Sequence, residues 1–97
     1  MNVKPEIMEN LRNYFEGKPV LRAYIFGSIS RNEGNEDSDI DILVDLDYSK
    51  KIGLQFIQMK IDLEKLLQKK VDLVSSGGLS PRIKPYIESD KKLIYER

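Results

Sequence analysis

Asp39 and Asp41 stand one residue apart at the head of an apolar run, Ile42-Leu43-Val44. Side chains alternate along a β-strand, so the two aspartates share one face while Ile40, Ile42 and Val44 take the other. Two like charges held together repel unless something positive neutralises them. Hard carboxylate oxygens suit a divalent cation such as Mg²⁺, which takes one or two carboxylates and completes its octahedron with water and phosphate oxygens. A partner for those phosphates lies upstream, where Gly27-Ser28 follows the run Val20–Phe26. Glycine lets a backbone approach a ligand closely, and a serine hydroxyl beside free N–H groups forms an anion cradle. Arg31, on the same turn as Ser28, can reach phosphate oxygens or brace an aspartate through charge-assisted hydrogen bonds.

Composition limits what else the chain can do. Its 97 residues make a single domain, large enough for one hydrophobic core. With 16 basic and 16 acidic residues the formal charge is zero, so no net positive field draws it to long nucleic acids or an anionic membrane. The absence of Cys excludes disulfides, thiolate nucleophiles and cysteine zinc sites. The absence of His removes the commonest general base and leaves carboxylates, Ser, Lys, Arg, Tyr or a bound metal to carry any catalysis. No apolar run approaches membrane-spanning length and the N-terminus does not read as a signal peptide, so a cytoplasmic location is expected.

The elements that must position these residues alternate between helix and strand. Pro5 suits a first helical position, and Ile7, Met8, Leu11, Tyr14 and Phe15 recur at helical spacing until Gly17 stops the segment. Val20–Phe26 and Ile40–Leu46 read as strands. From about Ile52 to Gln68, the residues Phe56, Met59, Leu63, Leu66 and Leu67 fall on one helical face, with Lys60, Glu64 and Lys65 available to water. Val71-Asp72-Leu73-Val74 is a third strand, closed by the loop cluster Ser75-Ser76-Gly77-Gly78. Ser80-Pro81 resembles an N-cap and first-turn proline opening a last helix, whose regularity Pro85 should disturb. Leu93-Ile94-Tyr95 is expected as an edge strand.

Gly27-Ser28, ten further residues and then Asp39-Ile40-Asp41 match the G-S-x₁₀-D-x-D signature of the DNA polymerase β-type nucleotidyltransferase superfamily. In its short length the chain resembles the minimal nucleotidyltransferases, including the MntA-like antitoxins encoded beside HEPN-domain toxins. The resemblance covers nearly the whole chain, departing where Asn32 replaces a frequent glycine after the arginine; asparagine also tolerates left-handed backbone. It implies an α/β (α+β) fold: a polymerase β-like nucleotidyltransferase core with a small mixed sheet and helices packed mainly on one face. It maps the family's third metal-side carboxylate onto Asp72. It further implies two Mg²⁺ ions roughly 3.5–4 Å apart, held by Asp39, Asp41 and Asp72, with ATP as the nucleotide substrate. Asp72 would then hold the metal that activates the acceptor hydroxyl and accept its proton, directly or through water. Gly27, Ser28 and Arg31 would bind the outer phosphates.

Each assignment has a plainer rival. Gly-Ser after a strand is an ordinary turn. Asp39 and Asp41 suit the solvated face of an edge strand, and Asp37, Asp45 and Asp47 are read that way. Asp72 resists dismissal, because an unpaired carboxylate buried between Val71 and Leu73 costs several kcal/mol or shifts its pKa. Capping a neighbouring loop is its structural alternative. Arg31 reads equally well as a surface ion pair, and Lys69-Lys70 as a solvated helix end.

The catalytic core uses the whole chain, so the acceptor must come from a partner, from a mate in a homo- or hetero-oligomer, or be the partner itself. The resemblance implies transfer of AMP to a hydroxyl, with a tyrosine of a cognate HEPN-type toxin as the favoured acceptor. Two alternatives stay open. One is transfer to an aminoglycoside-like small molecule alongside a helical subunit. The other is a non-catalytic antitoxin that neutralises by binding, against which the presence of all three aspartates argues.

Overall fold

The computed structural model describes residues 5–26 and 39–97. Helix α1 spans Pro5–Phe15 and strand β1 Val20–Phe26. Strand β2 follows over Ile40–Leu46, helix α2 over Gln55–Leu67 and strand β3 over Val71–Ser75. A short 3₁₀ turn at Ser76–Gly78 leads to helix α3, Lys84–Asp90, and strand β4, Lys92–Glu96. Gly17 takes a φ of 81°, which a side chain would resist, and turns the chain from α1 toward β1.

The strands form one mixed sheet in the order β3-β2-β1-β4. β1 pairs antiparallel with β2 and β4, and β2 pairs parallel with β3. Parallel neighbours need a crossover, and α2 supplies it, making β2-α2-β3 a βαβ unit. β2 is therefore an interior strand, which corrects the edge-strand reading of its aspartates. Asp45 accepts a 2.9 Å hydrogen bond from Arg22 Nε on β1, and Asp47 accepts one of 2.7 Å from Arg97 Nη1. Asp37 lies outside the described residues.

The core sits where α1 and α2 cover one face of the sheet. Leu11 and Phe15 from α1 and Met59 and Leu63 from α2 are buried against Val20, Ala23, Ile25, Ile40, Ile42, Val44 and Ile94. Of the expected core face of α2, Leu66 is instead 40% exposed, because that face is narrower than the apolar spacing suggested. α3 contributes differently: Ile87 is buried, as is Leu43, yet neither belongs to the main cluster. Alternation sends Leu43 to the face of β2 opposite Ile42 and Val44.

α3 also begins later than expected. Ser80 Oγ accepts the Arg82 N–H at 3.3 Å, and Ser80 O accepts from Ile83 and Lys84 at 3.0 Å each, closing a turn over residues 81–83. Pro85 then falls in the first turn of α3, where its missing donor costs nothing.

Candidate functional site

Asp41 and Asp72 are direct partners in the parallel ladder of β2 and β3. Partners in a parallel register present their side chains to the same face, so the two carboxylates stand side by side on the face that α1 and α2 leave open. Asp39 precedes β2 by one residue and is exposed, Asp41 is half-buried and Asp72 is exposed. The backbone fixes this meeting on both sides. The Ile40 N–H donates to Lys70 O at 3.0 Å, and the Val71 N–H donates to a Glu64 carboxylate oxygen at 3.1 Å.

Both neighbouring aspartates act on Asp41. Burial raises the Asp41 pKa above the ordinary carboxylate range, and the charges of Asp72 and then Asp39 push it further. The site thus holds more negative charge than it neutralises, which suits a cation. Among the described residues no three His, Cys, Asp or Glu side chains are gathered into a ready metal cage. The carboxylates are near enough to repel without being drawn to one point. Oxygen donors of this kind fit Mg²⁺, which needs few protein ligands because water and phosphate complete its shell.

β1 ends at Phe26, directly opposite Asp41. Gly27, Ser28 and Arg31 follow and lie outside the described residues. The register therefore brings Asp39, Asp41 and Asp72 to one end of the sheet.

A cleft of about 290 Å³ opens beside the carboxylates, lined by Asp39, Lys60, Glu64, Lys70, Val71 and Asp72. A larger hollow of about 350 Å³ lies between α1 and β4 but includes none of the three aspartates. Volume favours the second and chemistry the first; paired carboxylates decide in favour of the smaller cleft. Lys60 and Lys70 are exposed, as the sequence predicts, while Glu64 is half-buried rather than open to water. The crossover accounts for the difference, since it returns the last turns of α2 to the start of β3. Glu64, seven residues before Val71, is the detectable signal, being the right distance to cap the incoming strand.

Further along β2 the aspartates serve the fold. Burial raises the Asp45 pKa, but hydrogen bonds from Ser76 and Arg22 outweigh it and hold the carboxyl below its usual range. Hydrogen bonds from Ser49 and Arg97 bring Asp47 down to about 2. Lys91 Nζ lies 4.3 Å from the centre of the Tyr24 ring, placing the end of α3 over β1.

Comparison with known proteins agrees with this architecture. A Methanocaldococcus jannaschii chain provisionally named a protein adenylyltransferase is 42% identical over 101 residues, covering 98% of this chain and 99% of its own length. A solved toxin-antitoxin structure with AMP-PNP superposes with a TM-score of 0.78 at 21% identity, covering 93% of this chain and 73% of that one. The complex of a tri-AMPylated Shewanella oneidensis HEPN toxin with an MNT antitoxin gives a TM-score of 0.71 at 19% identity, covering 95% and 71%. At such identities these two structures establish a shared fold. The model of the family described as polymerase beta, nucleotidyltransferase, matches residues 9–97, and the chain belongs to that family.

Proposed function

We propose that this chain is a cytoplasmic antitoxin that transfers AMP from ATP to a hydroxyl of a HEPN-type toxin, with tyrosine as the acceptor. The observation that carries the reading is the parallel register pairing Asp41 with Asp72, beside Asp39, on the sheet face opposite α1 and α2. The full-length relative's name and the HEPN complex of the same fold support the substrate class.

In this reading Asp39, Asp41 and Asp72 hold the divalent cations, and Gly27, Ser28 and Arg31 bind the outer phosphates of ATP. Bound Mg²⁺ supplies charge neutralisation for the triphosphate and acidifies the acceptor hydroxyl. The acceptor oxygen forms a bond to the α-phosphorus while the bond from that phosphorus to the β-phosphate bridging oxygen breaks, releasing pyrophosphate. Asp72 takes the hydroxyl proton, directly or through water. The outer-phosphate contacts keep the leaving group in line with the attacking oxygen.

The test is incubation of the purified chain with α-labelled ATP, Mg²⁺ and a purified HEPN-type toxin. Label should appear on the toxin, vanish with EDTA, and return with added Mg²⁺. Ser28→Ala should weaken nucleotide binding or slow transfer modestly, since backbone donors remain. Label that persists in EDTA, or never reaches the toxin, contradicts the reading.

A further inference from the structure

Helix α2 is apolar on two opposite sides. Met59 and Leu63 face the core. Leu54 at its N-cap, Ile57 and Ile61 are spaced by three and four residues and so form a second stripe, turned away from the core by the 3.6-residue helical period. Their exposures are 80%, 57% and 41%, so among the described residues nothing covers the stripe. Exposed aliphatic side chains in register along a helix are the pattern of a helix-on-helix contact.

Charge along the stripe identifies the kind of partner. Both acids of α2 already have partners: Asp62 accepts from Tyr14 Oη at 2.7 Å and Gln58 Nε2 at 2.8 Å, and Glu64 accepts the Val71 N–H. Lys60 and Lys65 on α2, with Lys50 and Lys51 just before it, remain exposed. A second copy of this chain would bring lysines against lysines. An acidic border on the partner would neutralise them. The stripe is also close to the chemistry, because Lys60, one residue before Ile61, lines the cleft shared with Asp39 and Asp72.

We propose that the outer face of α2 is the docking surface for the acceptor protein, which presents an amphipathic helix with an acidic border. Resting on the transfer reading above, this assigns Leu54, Ile57 and Ile61 the apolar contact and the lysines orientation and encounter rate. A protein docked there has its surface beside the carboxylate cleft, so its hydroxyl reaches the site without a binding pocket of its own.

The test is Ile57→Gln/Ile61→Gln, which removes exposed apolar groups while keeping good helix formers. Its melting temperature should match the wild type. Affinity for the purified HEPN-type toxin, by calorimetry, should fall at least about tenfold; KM for the toxin should rise, with kcat and KM for ATP unchanged. Lys51→Glu/Lys65→Glu should weaken binding and flatten its dependence on salt. Wild-type affinity in the isoleucine double variant overturns the docking surface while leaving transfer intact. Docking through the stripe without AMP transfer overturns the transfer reading alone. A wild-type chain that does not bind the toxin, or a wild-type dimer that the double variant splits in sedimentation, also overturns the proposal.

Discussion

A negative charge at Asp41 is costlier in the folded chain than in water, through burial first and then through Asp72 and Asp39. A carboxyl whose folded pKa is raised leaves its full stability in place below the unfolded value and loses it as pH rises through the folded one. At neutral pH without metal, Asp41 therefore weakens the fold, and Asp41→Asn should melt at the same temperature or a few degrees higher. The variant should lose at least about a hundredfold in transfer, because even residues that merely orient metal ligands cost 10–100-fold when replaced. Marked destabilisation would assign Asp41 a structural role. Asp47 behaves in the opposite sense. Held down to about 2 from 3.8 by Ser49 and Arg97, it contributes stability above pH 3.8 that is lost as pH falls toward 2. Asp47→Asn should flatten that acid limb in melts recorded from pH 2 to 6, and added salt should narrow the difference. Local spacing places Asp39 and Asp41 on one face, whereas Arg22 on β1 and Arg97 at the C-terminus, which hold Asp45 and Asp47, are announced by no local pattern.

At the scale of elements, the meeting of Asp41 and Asp72 depends on how α2 returns the chain to β3. Glu64 fastens that return by accepting the Val71 N–H, a half-buried contact next to Asp72. Glu64→Ala leaves the donor unsatisfied and should cost about 1–3 kcal/mol in urea unfolding, whereas Glu64→Gln keeps an acceptor and should cost less. If both variants unfold like the wild type, Glu64 does not anchor the strand. β1 and β2 were legible to the residue, because runs of Val, Ile, Leu and aromatic residues bounded by Gly, Pro and acidic residues favour strands over helices. The helix ends were less so. α2 starts at Gln55 rather than near Ile52, after Gly53 adopts a φ of 48°. α3 starts at Lys84, since Pro85 is harmless in a first turn although disruptive further in.

For the whole molecule, strand order brings the carboxylates together and is the feature least visible in local periodicity. The spacing predicts three carboxylates on short strands, while only the pairing of β2 with β3 in parallel register sets Asp72 beside Asp41. The family signature supplied that expectation for Asp72 where residue patterns alone left a loop cap as an alternative. Among the described residues no helix is long and apolar enough to cross a membrane. On the proposed reading the acceptor meets the chain at the carboxylate end of the sheet and along the exposed α2 stripe. The most direct measurement is the intact mass of the HEPN-type toxin purified after co-expression with the wild-type chain or with Asp39→Asn/Asp41→Asn. The account predicts one or a few AMP-sized increments with the wild type, none with the double variant, and a toxin that stays silent after the wild-type chain is removed. An unmodified toxin that the double variant still neutralises in full would contradict it and leave neutralisation by binding alone.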